Sequence, residues 1–151
     1  MTTTVSAPDK NLDDACATVT SEIARTDGKS SLLLAFTGAI LAGLASAADH
    51  ALPLPAKILG SLAVLALGAA AVLLLLVVRP RLGGHDHASF PYWARLDEDQ
   101  ILACMTGDSR PARIRVLSRI AVRKYRGLRR AVDLILTALA LLALAAARAP
   151  F

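Results

Sequence analysis

Aromatic residues are scarce in this chain: three Phe, two Tyr and one Trp among 151 residues. Ala, Leu and Val therefore supply most of a 55% apolar content, which suits helices in lipid better than a mixed soluble core. Cysteine is scarce too. Cys16 and Cys104 have no CxxC spacing and no neighbouring His or Cys cluster, which excludes a disulfide framework and a zinc site of familiar spacing. There is no Gly-rich phosphate loop of known pattern and no Ser or Cys beside a partnered base, so the chain is not read as an enzyme. Residues 1–30 contain Asp9, Asp13, Asp14, Glu22 and Asp27 and no apolar core segment, so they do not read as a cleavable signal peptide. The most informative lack is of charge. Residues 58–78 hold none, and as a helix they reach about 30 Å, the thickness of a bilayer's hydrocarbon core.

Two more apolar runs flank that one, at 31–48 and 131–147, and the class expected is all-α, a membrane protein with spans at 31–48, 57–78 and 131–147. The third run is the shortest. If it packed without crossing, the carboxyl terminus would stay on the side where the run begins. The connector containing Asp49, His50, Pro53 and Pro55 is too short for anything but an antiparallel hairpin, and its prolines are expected to keep it out of helix. Small residues recur four apart at Ala35, Ala39 and Gly43, and Gly60, Gly68 and Ala71 lie on the second span. Such rows let helices in lipid approach closely, and these six positions are the expected membrane packing sites.

Outside the spans, residues 1–8 have no periodicity and are expected to be disordered. Residues 9–26 carry Leu12, Ala15, Cys16, Val19 and Ile23 at helical spacing against an acidic face, with Asp9 as the expected N-cap of an amphipathic helix. The acidic polar face favours a partner helix over an anionic lipid surface. Residues 79–130 form a basic cytoplasmic segment. Within it, Asp97 and Gln100 have the spacing of a capping box, starting a short helix at 98–106 that Gly107 ends. A basic amphipathic helix follows at 111–130, with Pro111 in its first turn. Its charge complements that of 9–26, so the two are expected to pair, within one chain or between copies. His85, Asp86 and His87 lack a third or fourth ligand, and no metal site is assigned.

Twelve of the seventeen Lys and Arg fall between Arg79 and Arg130. The positive-inside rule accounts for such a block without nucleic acid and places the amino terminus in the cytoplasm. Within it, Arg119, Arg123 and Lys124 are the candidate anion contacts, while Asp27 and Lys29 mark the junction between the first amphipathic helix and the membrane.

The segment Ile23-Ala-Arg-Thr-Asp-Gly-Lys-Ser-Ser-Leu-Leu-Leu-Ala-Phe36, the exit Val77-Val-Arg-Pro-Arg81, the patch Phe90-Pro-Tyr-Trp93 and the run Leu117-Ser-Arg-Ile-Ala-Val-Arg-Lys-Tyr125 together resemble the Pycsar effector family of small integral membrane, PycTM-like proteins. The resemblance covers nearly the whole chain as a single membrane domain. It implies an antiphage effector of the cell inner membrane, multi-pass, that answers a cyclic pyrimidine nucleotide by impairing membrane integrity. Cyclic UMP or cyclic CMP would be the signal, made by a pyrimidine nucleotide cyclase that acts through its product, and no cofactor is implied. With no ion pathway of its own, such a chain would act on the bilayer by assembling as a homo-oligomer or rearranging. Similar proteins are also described as integral membrane plasmid transfer proteins, which leaves a structural component of conjugative transfer as the alternative.

Overall fold

Proline near the start of a helix and glycine within one decide where these elements begin and where they run on. The computed structural model describes residues 7–47, 53–79, 90–104 and 107–148, and among them all regular structure is helical. The elements are α1 (Ala7–Ala47), α2 (Leu54–Val78), α3 (Phe90–Trp93), α4 (Glu98–Cys104) and α5 (Arg110–Ala147). Three of them, α1, α2 and α5, are long and apolar enough to cross a membrane. The all-α membrane class expected from the sequence is what the chain adopts.

Two boundaries expected from the sequence are absent. The 41 residues of α1 form one helix, where a break was expected between 26 and 31. Gly28 costs a helix interior only about 1 kcal/mol relative to Ala. The hydroxyls that could compete with the backbone ladder instead bond back into it: Ser30 Oγ donates to Thr26 O at 2.8 Å and Ser31 Oγ to Asp27 O at 3.1 Å. Likewise α5 continues through 130 and 131 as one 38-residue helix, because nothing between Arg130 and Ala131 breaks it.

Helix starts also move. α1 begins at Ala7, so Asp9 lies in its first turn instead of capping it. There the unsatisfied N–H groups of the helix end still favour a carboxylate. The expectation that Pro53 and Pro55 hold the connector out of helix is met at Pro53 and corrected at Pro55. Pro53 is the extended N-cap (φ −62°, ψ 150°) and Pro55 sits in the first turn of α2, where its missing N–H has no partner to lose. Lys57 N donates to Pro53 O at 3.1 Å, closing that turn.

The capping box of α4 is formed as its spacing predicts: Gln100 N donates to Asp97 Oδ1 at 2.8 Å, and Asp97 N to Gln100 Oε1 at 3.3 Å. α4 is assigned through Cys104, and the expected end at Thr106 lies outside the described residues, as do residues 1–6, Ala48, Asp49, His50, Pro80, Arg81, His85, Asp86 and His87.

By its contacts the chain divides into two compact units: residues 1–25 with 80–123, and residues 26–79 with 124–151. In the second, the core is an apolar seam. α2 buries Ala63, Leu67, Ala70 and Leu74 against Leu128, Ala131, Ile135 and Ala138 of α5, with Leu33, Leu34, Ile40, Leu41 and Leu44 of α1 packed on the cluster. The buried positions of α2 follow steps of four and three, the coiled-coil repeat. Outward, Leu32 is 74% and Leu65 69% exposed, as befits helices that are apolar on every side and surrounded by lipid. Thr26, Ser30 and Thr37 are buried on α1, and Thr37 Oγ1 donates to Leu33 O at 2.7 Å, so its hydroxyl is satisfied within its own helix.

Candidate functional site

The first unit is tied by one arginine. Arg110, the first residue of α5, presents its planar guanidinium to three carboxylates. It bonds Asp108 through Nε at 2.9 Å, Asp13 through Nη1 at 3.2 Å and Asp9 through Nη2, and Nη1 also reaches the backbone oxygen of Asp9 at 3.2 Å. Asp9 and Asp13 are one helical turn apart, so α1 offers both to the same fork. The side-chain hydrogen bond from Arg110 is the largest influence on Asp108 and holds its carboxyl below the usual value. Reciprocally, Asp108 first, then Asp9 and Asp13, push the guanidinium's pKa further up. With three carboxylates around one cation, the cluster is net negative and repels anions. The expected pairing of an acidic first helix with a basic last helix is made here, by a residue just before the predicted start at Pro111. The usable signal was Asp108 two residues before an arginine.

In the second unit, Lys124 Nζ meets Asp27 Oδ1 at 2.5 Å, with the lysine side chain only 17% exposed. One of the three candidate anion contacts is therefore engaged by a carboxylate. Arg119 and Arg123 are exposed and make no ion pair among the described residues. Of the two junction residues, Asp27 meets the basic helix and Lys29 stays exposed.

Three residues beyond Lys124 comes Gly127, which sequence reasoning passed over. A Cβ there would lie 2.6 Å from Val77 Cγ2, so α5 approaches α2 at a distance only glycine permits. The six small residues expected at packing sites lie elsewhere: Ala35, Ala39 and Gly43 are exposed, and Gly60, Gly68 and Ala71 are half-buried. Nothing comes within 4 Å of a Cβ built on Gly43, Gly60 or Gly68. Inside this unit close packing uses Ala63, Ala70, Ala131 and Ala138, which follow the buried seam. Among the described residues no group of three or more His, Cys, Asp or Glu side chains is placed to hold a metal ion.

The family model described as the Pycsar effector protein domain matches residues 11–149, nearly the whole chain. The chain belongs to the Pycsar effector family. The matched region takes in all three candidate spans almost entirely, so this effector domain is a membrane protein, and it is not a known catalytic family. A Pycsar effector domain fits a role in antiphage defence. No curated protein and no solved structure matches the chain.

Proposed function

We propose that this protein is the membrane effector of a cyclic-pyrimidine-nucleotide antiphage system. A partner cyclase releases cyclic UMP or cyclic CMP on infection, and the effector assembles or rearranges in the inner membrane and impairs its integrity. The observation that carries the reading is the match to an effector domain over a region containing three helices of spanning length. The clustering of cations after Arg79 supports a cytoplasmic amino terminus.

Arg119 and Arg123 stand four residues apart on α5, one turn of helix, and offer two guanidinium groups to a single phosphodiester. Arg110 is engaged by carboxylates and is left out of this site. In the second unit the Lys124–Asp27 pair is one polar tie between α1 and α5 that a rearrangement there would break. Purified full-length protein in nanodiscs, titrated calorimetrically with cyclic UMP and cyclic CMP, tests the sensor role. Saturable micromolar binding that weakens in Arg123→Ala supports it, and no saturable binding removes it. In cells, depolarisation on induction of the cyclase supports the effector reading. Co-purification with a DNA translocase in place of depolarisation would transfer the protein to conjugative transfer.

A further inference from the structure

Asp133 is an ionisable residue set among apolar ones, between Val132 and Leu134, on the exposed side of α5. Its depth can be read from the helix contacts. Gly127 is level with Val77, next to last in α2, and Asp133 lies six residues further along α5, about 9 Å deeper at 1.5 Å per residue. An aspartate side chain is too short to reach the interface from there, and a charge facing lipid is strongly unfavourable. Arg129 and Arg130 are exposed one turn back on the same helix, yet neither pairs with Asp133 among the described residues.

Asp133 also belongs to a row. Arg126, Arg130, Asp133, Thr137, Ala140 and Leu144 follow in steps of four and three, and all six are exposed. That is the seam along which two helices pack at a shallow left-handed crossing. The opposite face of α5, with Leu128, Ala131, Ile135 and Ala138, is already filled by its own chain.

We propose that a second copy of this chain, inserted in the same orientation, docks on this row so that Asp133 of each copy bonds Arg130 of the other. The row is self-complementary in charge: a two-fold axis along the seam brings each carboxylate within reach of a guanidinium one layer away, twice. Small Thr137 and Ala140 above the ion pairs let the backbones approach. The contact rests on the membrane-spanning reading and gives the assembly invoked above its surface, without requiring a nucleotide.

The test uses the full chain in native membranes, with Cys16→Ser and Cys104→Ser as background. Thr137→Cys oxidised with copper–phenanthroline should give a disulfide-linked dimer, while Leu65→Cys, exposed on α2, should stay monomeric; dimers at Leu65 and none at Thr137 would overturn the proposal. Asp133→Asn keeps the volume and removes the charge, and should lower the cross-linked fraction of Thr137→Cys about tenfold, the combined scale of the two symmetric interhelical contacts it removes. Unchanged cross-linking would refute the ion pair. Asp133→Arg and Arg130→Asp, each in the Thr137→Cys chain, should fail to cross-link alone and should cross-link to one another when co-expressed. Only pairing between copies predicts that rescue, and its absence counts against the interface. Dimers that form in a protein blind to cyclic nucleotides would keep the interface and remove the effector reading. A nucleotide-driven depolarisation without Thr137 cross-links would do the reverse.

Discussion

Gly127 sits in a helix interior, where glycine is the poorest choice after proline, because the wall opposite is a β-branched side chain. Val77 has little freedom to turn away, since one χ1 rotamer dominates for valine in a helix. In Gly127→Ala, the gain of about 1 kcal/mol in helix propensity opposes an overpacking cost of about 1–3 kcal/mol. We expect a lower thermal midpoint for Gly127→Ala in detergent, and recovery when Val77→Ala removes the clash. A double variant no more stable than Gly127→Ala would show that the contact is not the constraint. The acidic cluster carries a pH signature. Because Asp108 titrates lower in the folded protein than its ordinary 3.8, its contribution is fully present above 3.8 and is lost as pH falls through the lowered value. Protection of the Arg110 amide, which donates to Asp108 Oδ1 at 3.1 Å, should therefore hold from pH 7 to pH 4, after correction for intrinsic exchange, and fall below. In Arg110→Ala, where Asp9, Asp13 and Asp108 lose their shared cation, protection of residues 11–14 should be reduced already at pH 7.

At the scale of elements, what the sequence revealed was what local chemistry decides. The spacing of Asp97 and Gln100 predicted a reciprocal cap, and the cap is there with both bonds. Apolar runs, two without charge and the third holding only Asp133, predicted three helices of spanning length. What stayed hidden was continuity, because Thr26-Asp27-Gly28-Lys29-Ser30 has the composition of a junction while its hydroxyls bond back to the helix backbone. The buried seam was hidden too. In an Ala-rich span every face carries small residues, and only the partner helix decides that Ala63 and Ala70, not Gly60 and Gly68, are the ones covered. A Cβ added at position 28 would meet nothing within 4 Å, so Gly28→Ala adds helix propensity without a clash. Amide exchange across residues 26–32 should slow about fivefold in that variant, the factor that ~1 kcal/mol gives. Gly28→Pro, which removes an N–H and crowds the preceding turn, should raise exchange throughout the same stretch. If Gly28→Ala left exchange unchanged, the glycine would not be a weak point of α1.

For the whole molecule, the question set by the charge distribution is which side each end of the third span faces. The basic residues of α5 stop at Arg130, and the following stretch to Ala147 is apolar but for Asp133. In the orientation proposed above, the cations before Ala131 hold the start of that stretch in the cytoplasm, so the carboxyl end must emerge on the far side. The ion pair proposed between copies bears on this directly. An isolated α5 carrying Asp133 in lipid inserts less readily than one whose carboxylate is neutralised by Arg130 of a neighbour, and crossing and assembly become coupled steps. Alkaline phosphatase fused after Phe151 should accordingly be active in the full chain, and its activity should rise in Asp133→Asn, which makes crossing easier without a neighbour. Fusion activity on the cytoplasmic side instead, read with a reporter that fluoresces only there, would mean that α5 ends on the side where it began and that Asp133 lies in the headgroup region.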